Sequence, residues 1–365
     1  MKAQTATEYL ILLAVVIIIA VIVVSALGGI PGIGGGAGAT NVAAQTLDVG
    51  IADFSVHEFG VFMTVHNNVG ESITIDAISI DDELIYPKAL VYPFQLRLGG
   101  ERQIYALPYL SGNPDGYATI VINYTNSVTD ASYFQSFDYE YDPPDEYVMR
   151  EAVALYHYED DYNDSINDYD FDSTFGSLSL NQEGRFGTGV VLMSNYSQIN
   201  YSENDIYDLH SDKTIALWIN VVPTEDNRCG NILFKMEPSG GVNSDCGVFG
   251  SNYGYYVYNQ NGYLNTMVQS GGSGGSFGFS QIANGQWKQL TITANGTTAS
   301  SYYGGSLAGS GDITPLVNAD QYFIIGYLGE DNGHLRAVTG LYDNLIIWNR
   351  TLTEREVRQL YEFGR

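Results

Sequence analysis

Basic residues are scarce in this 365-residue chain: 15 Lys and Arg stand against 42 Asp and Glu, a formal charge of −27. A surface that acidic repels phosphate backbones and anionic headgroups, so nucleic acid is excluded as a partner. Charge of either sign is sparse, at 16% of residues, while 45% are apolar. Disordered chains show the opposite balance, so this one folds. Two cysteines are too few for a disulfide framework, and ten prolines do not gather into a proline-rich segment. Signs of catalysis are thin. No strand reads Glu-x-Asp-x-Glu, the carboxylate alternation that flanks a glycosidic bond. The Gly271–Ser276 run lacks the Lys-Ser/Thr of a phosphate loop and reads as a hairpin tip. His57, His66, His157, His210 and His334 are scattered, with no short metal-type spacing between them. The sequence therefore predicts a protein that recognises rather than turns over. Gly (41) and Tyr (29) are plentiful instead, the composition of a strand-rich, exported protein.

One long apolar run exists. Leu10–Leu27 is uncharged for eighteen residues, about 27 Å as a helix, close to the thickness of a hydrocarbon core. The polar segment Lys2-Ala3-Gln4-Thr5-Ala6-Thr7-Glu8-Tyr9 precedes it, whereas a secretory signal carries its small-residue cleavage site after the apolar stretch. This N-terminus resembles the class III signal of archaeal type IV pilins. The resemblance implies cleavage between Ala3 and Gln4, with Glu8 as the fifth mature residue, and a helix that leaves the membrane to pack against copies of itself in a filament. A carboxylate at a helix start is favoured by the helix dipole.

Gly28–Thr40 holds seven glycines in thirteen residues, so 28–41 is a flexible tether. Residues 42–142 then alternate in short β-branched bursts, Val61–Val65, Ser72–Asp76 and Ala118–Ile122, between turn signals. That spacing predicts a small sandwich, similar in order to the Ig-like sandwiches of archaeal surface proteins. Asp142-Pro143-Pro144-Asp145 is a rigid break, with 143–147 as linker. From Asp138 to Asp172 there are 13 acidic residues and a single basic one, Arg150.

Residues 148–365 are again strand-like, with one closing helix capped by Thr353. In Thr214–Val221, Ile215, Leu217, Ile219 and Val221 share a face. In Asp343–Trp348, period two puts Asp343 in phase with Leu341, Leu345 and Ile347, on the apolar side. The order Ala154–Tyr158, Gly184–Gly187, Ile215–Ile219, Gly285–Trp287, Phe323–Gly326, Gly340–Arg350 and Leu352–Tyr361 resembles the laminin-G-like, concanavalin-A-type jelly rolls. The fold expected is thus an all-β two-domain ectodomain, an Ig-like sandwich plus a concanavalin-A-like jelly roll, on a long N-terminal apolar α-helix. The resemblance further implies calcium held by Glu159, Asp160, Asp161 and Asp343. A salt bridge from Asp343 to Arg336 or Arg350 is the alternative. The tyrosines of Tyr253–Tyr258 and Tyr302–Tyr303 read as sheet filling, with stacking on sugars the other option.

Cys229 and Cys246 are the only cysteines, and in an exported chain they predict one disulfide, worth about 3 kcal/mol. Glycosylation acceptors stand at Asn123, Asn163, Asn195, Asn200 and Asn295; a further one at Asn349 borders the last strand. The function expected is a cell-surface pilin-like adhesion subunit, binding carbohydrate or another surface ligand. Its alternatives are a membrane-anchored binding protein that does not polymerise, or an anchored glycoside hydrolase.

Overall fold

Short runs rich in β-branched and aromatic residues recur along the chain, and strands dominate the described residues accordingly. The computed structural model describes residues 47–365 apart from 58, 88–89, 108–115, 141–147, 160, 168, 170, 193–196, 202–203, 222–228, 237–253, 271–272, 283–284, 314–321 and 327–334. The class III signal with Ala3, Gln4 and Glu8, the apolar run, the glycine tether and the 143–147 linker all lie outside the described residues. Among the described residues, no helix is long and apolar enough to cross a membrane. The chain divides into two compact units, the second containing 147–365.

The first unit carries two sheets. Val49–His57 pairs antiparallel with Gly60–Asn67 in one. Ile73–Ile80, Tyr117–Asn126 and Ser132–Glu140 pair in the other, with Phe94–Leu96 on the far side of Ile73–Ile80. Tyr117–Asn126 follows strict period two: Ala118, Ile120, Ile122 and Tyr124 are buried while Tyr117, Thr119 and Asn123 are exposed. The ring of Phe54 lies 5.1 Å from that of Tyr139, joining the two sheets.

The second unit is two eight-stranded sheets face to face. In the first, the final strand Gly340–Trp348 is central, between Thr188–Leu192 and Asp212–Val221, and the order continues through Lys288–Asn295, Thr298–Tyr303 and Ser306–Asp312. In the second, Cys229–Met236 lies between Phe323–Gly326 and Gly254–Gln260, with Tyr263–Ser270 and Ser273–Gln281 beyond. Ile215, Leu217, Ile219 and Val221 all enter the core between the sheets, as their phase predicts. The expected hairpin tip is shorter than the Gly-Ser run suggested: Ser273–Ser276 pair with Met267–Ser270 as strand. Without side chains of any size, these residues still satisfy the ladder through backbone groups.

The core of this unit is rich in tyrosine, and the buried hydroxyls of Tyr156, Tyr158, Tyr201, Tyr207 and Tyr255 are paired. The hydroxyls of Tyr156 and Tyr207 lie 2.5 Å apart, those of Tyr158 and Tyr201 2.6 Å apart, and Tyr255 donates to the Tyr207 carbonyl. Burial raises the pKa of all four of Tyr156, Tyr158, Tyr201 and Tyr255 far above the ordinary range, so they remain neutral donors. Tyr256, Tyr258, Tyr302 and Tyr303 are buried too, so sheet filling is the use made of them.

The closing helix Glu354–Gly364 begins with a capping box: Thr353 accepts from the Glu356 N–H, and the Glu356 carboxylate accepts from the Thr353 N–H. Its buried face, Val357, Leu360, Tyr361 and Gly364, covers the outer side of the first sheet. There Tyr361 stacks on Trp218 at 5.7 Å, and a Cβ at Gly364 would meet the indole at 2.1 Å. Thr353→Ala is expected to cost about 1 kcal/mol in denaturant unfolding. Burial alone would raise the Glu356 pKa, but bonds from Thr353 and Arg350 outweigh it and hold it below 4.5. A lowered native pKa stabilises above the ordinary value, and that gain is lost as pH falls through the native one. Glu356→Gln should therefore cost stability at pH 7, and the two melting curves should converge in acid; a gap that persists at pH 3 would contradict this ion pair.

Candidate functional site

The site expected from the sequence begins at Asp343. Period two fails just beyond it. Ile346 pairs with Ala216 and Asp343 with Trp218, so Asn344 and Leu345 together oppose Leu217 in a β-bulge. Asn344 takes a left-handed φ of 43°, which Asn tolerates better than most residues. The bulge turns the phase by one residue. Tyr342, Leu345 and Ile347 enter the core, whereas Asp343 and Leu341 face away from it, with Trp218. The expectation that Asp343 shares the face of Leu345 and Ile347 is thus corrected.

Asp343 is nevertheless fully buried, because the Gly184–Thr188 turn folds over it. The backbone N–H groups of Arg185 and Phe186 donate to its Oδ2 at 2.5 and 2.7 Å. The same turn catches Glu159: the Thr188 N–H donates to Oε1 and Oε2 at 3.0 and 2.8 Å, and the Thr188 hydroxyl adds a further bond. Two glycines make room. Gly187 has a left-handed φ of 59°, and a Cβ there would meet Glu159 at 2.2 Å; one at Gly184 would meet Asp343 at 2.7 Å. Burial, reinforced by the neighbouring Glu159 charge, pushes the Asp343 carboxyl well above the usual range against the pull of the amides.

The structure thus brings Glu159 and Asp343 to one turn, and leaves Asp161 out. Asp161 is exposed and accepts from the backbone and side-chain nitrogens of Asn163. Asp160 lies outside the described residues. Among the described residues, no group of three or more His, Cys, Asp or Glu gathers as a metal site. One observation still suits a cation: Asp343 Oδ1 is buried and accepts no hydrogen bond. Arg350 does not supply the salt bridge weighed for it, since it pairs with Glu151 and, at 2.7 Å, with Glu356. The Arg336 side chain lies outside the described residues. Beside the pair, His157 is buried and its Nδ1–H donates to Asn344 Oδ1 at 2.8 Å; burial lowers its pKa to about 4, so the ring is neutral at pH 7.

The Cys229 backbone opens a strand, but its side chain and all of Cys246 lie outside the described residues, as does Asn195. Asn123 and Asn295 are exposed. Asn163 and Asn200 are half-buried and spend their amide nitrogens on Asp161 and Ser173.

A second constellation was not singled out by any sequence motif. An open cleft of about 590 Å³ is lined by Asp205, Ile206, His210, Ser211, Asp212, Lys213 and Asn349. The Asp205–Tyr207 turn, capped by Asn204, forms one wall. The start of Asp212–Val221 and the residue after the last strand form the other, where the Lys213 ammonium donates to Asn349 Oδ1 at 2.5 Å. Beneath lies a buried ion pair. Lys235, on the core face of its strand, sits 2.5 Å from Asp208 Oδ1 and also donates to the Asn204 carbonyl at 2.8 Å. Burial raises the Asp208 carboxyl against the pull of Lys235. His210 Nδ1 stands 3.6 Å from Asp208 Oδ2, beyond hydrogen-bond reach, and that oxygen has no hydrogen-bond partner. The nearest thing to a signal was three acids and a histidine within Asp205–Asp212.

Removing the ammonium alone strands a buried carboxylate. Lys235→Met is expected to cost about 3–5 kcal/mol in urea unfolding, and adding Asp208→Leu should recover most of it. A single variant within 1 kcal/mol of the parent would mean that the pair carries little.

Comparison with known proteins agrees with the two-sheet architecture. Residues 193–358 match the concanavalin A-like lectin/glucanases superfamily. Among curated proteins, none matches. Similar solved structures include domain 4 of the extracellular arabinanase AbnA from Geobacillus stearothermophilus, in complex with arabinotriose, at 19% identity over 58% of this chain and 98% of that one, TM-score 0.42. The binding domain of Paraclostridial Mosquitocidal Protein 1 is 18% identical over 58% of this chain and 52% of that one, TM-score 0.45. The receptor binding domain of botulinum neurotoxin D is 17% identical over 58% and 52%, TM-score 0.45. The chain spans about half the length of the toxin domains it matches. Residues 193–358 are a laminin-G-like, concanavalin A-like jelly-roll domain.

Proposed function

We propose that this chain is a cell-surface, pilin-like adhesion subunit whose jelly roll binds carbohydrate or another surface ligand without transforming it. The observation that carries the binding role is the open, polar cleft on a lectin-type domain. The pilin role rests on the sequence, on Gln4 and Glu8 standing before the Leu10–Leu27 run. In this reading the processed helix anchors the chain and then joins a filament, residues 42–142 act as an Ig-like spacer, and the jelly roll faces outward. Cys229 and Cys246 close one disulfide, and glycans attach first at the exposed Asn123 and Asn295.

Mass spectrometry of sheared surface filaments tests the whole reading. The chain should be present with Gln4 as its first residue. A mature N-terminus beyond Leu27 would mark an ordinary secretory signal. Absence from filaments but presence in membranes would mark a non-polymerising anchor. Release of reducing ends from polysaccharide would replace binding by hydrolysis.

Calcium belongs to the same proposal. Glu159 and Asp343 would hold the ion, the unpartnered Asp343 Oδ1 giving it an oxygen, with water and backbone carbonyls needed to complete six to eight ligands. The bound ion would supply positive charge that neutralises two adjacent carboxylates. A ligand that binds only the folded state stabilises it by about 2.7 kcal/mol at a hundredfold excess over Kd. The melting midpoint should therefore rise in calcium and fall in chelator, and Asp343→Asn should abolish the difference. A midpoint indifferent to calcium would overturn the ion.

A further inference from the structure

We propose that the cleft of Asp205, His210, Ser211, Asp212, Lys213 and Asn349 is a subsite for an uncharged pyranose residue of a glycan. The proposal rests on the carbohydrate-binding reading above and adds the place and the ligand class. A volume of about 590 Å³ falls in the range of small-ligand sites and is wide enough for a sugar ring. Its lining interleaves acceptors, the Asp205 and Asp212 carboxylates, with donors, the Lys213 ammonium and the Asn349 amide. The Ser211 hydroxyl and the His210 ring serve either way. That mixture suits a polyol, in which every hydroxyl both donates and accepts. Ile206 gives the apolar floor that the C–H face of a ring requires.

Charge narrows the class. Two exposed carboxylates stand at the rim, and the one lining ammonium is already engaged by Asn349. The Asp208–Lys235 pair beneath is neutral in sum. The cleft is thus net negative within a chain of charge −27, so uronate, sialate and sulfate groups are repelled. The independent sign of an occupant is Asp208 Oδ2. Asp208 is 6% exposed, this oxygen has no hydrogen-bond partner, and it faces His210, a cleft residue 37% exposed at its side chain. A ligand hydroxyl bonded to the far nitrogen of the His210 ring would turn the near one, 3.6 Å away, onto this oxygen as the missing donor. The floor is rigid, because Lys235 ties Asp208 and the Asn204 carbonyl to the opposite sheet.

The test applies the full-length chain to an array of neutral gluco-, galacto- and manno-oligosaccharides and their uronate- or sialate-capped counterparts. Titration of the best neutral oligosaccharide follows. Binding should be confined to the neutral set. Asp212→Ala and the blocking variant Ser211→Trp should each weaken it tenfold or more at an unchanged melting midpoint. Neutral glycans bound equally well by both variants would overturn this cleft while leaving the lectin reading intact. Preference for the capped glycans would overturn the charge argument, and so the proposal. Binding of no glycan would sink the cleft and the carbohydrate reading together.

Discussion

Asp343 is the constraint on which the jelly roll turns. It occupies the central strand of its sheet, fully buried, where an ionisable group is costly unless it is satisfied. The Arg185 and Phe186 amides satisfy one oxygen, and the turn that carries them also fixes Glu159 through Thr188. Three distant stretches, the opening loop, the first turn and the final strand, thereby become one unit. Neither glycine of the turn tolerates a side chain without a clash against the carboxylate it cradles. Phe186 then lies 6.0 Å from Trp218, and Arg185 places its guanidinium 5.4 Å from the same indole, so the turn and the closing helix share one platform.

The second sheet is joined to the first by polar as well as apolar means. A core built from Leu and Ile alone would need no partners. This one sends Tyr156, Tyr158, Tyr201, Tyr207 and Tyr255 inward and must pair each hydroxyl. Stacked rings, Tyr207 on Phe323 at 4.7 Å among them, supply the apolar area, while the hydroxyls impose a register that plain hydrocarbons would not. Lys235 and Asp208 extend the same logic to full charges. An ion pair so buried adds little net stability over a packed hydrocarbon, yet breaking half of it is severe. Its effect is to hold the cleft wall at one position.

How much of this was legible depended on how local each signal is. Strand phase in Ile215–Val221 and the Thr353 helix cap are readable because neighbours a few residues apart decide them. The phase of Asp343 was misread because Asn344 inserts a bulge, and nothing in the residues Asp343-Asn344-Leu345 announces a left-handed backbone except that Asn permits one. Glu159 and Asp343 are held by one turn, and their partners include amides of Gly184–Thr188, which no side-chain pattern encodes. Tyrosine was recognised as a sheet former; the hydroxyl network was invisible, since it joins residues 43 and 51 positions apart. The cleft escaped for the same reason: Asn349 meets Lys213 across 136 residues.

Openness sets what such a cleft can do. A ligand held on one side keeps much of its hydration, and small sites of this kind bind in the millimolar range, near −4 kcal/mol. That is too weak for a lone domain to retain a partner. In the proposed filament, avidity would multiply affinity by about 10² to 10⁴ once a second copy engages the same surface. In the filament proposed above, the acid excess of the chain, −27 in all, would set neighbouring copies apart by mutual repulsion and so keep each cleft accessible. Repulsion weakens as salt shortens the Debye length to about 8 Å at 0.15 M, which bounds its reach to adjacent surfaces and leaves a distant neutral glycan unopposed. Weak sites, like-charged carriers and uncharged ligands are therefore mutually consistent in this proposal, whereas an anionic ligand would meet the same repulsion that separates the carriers.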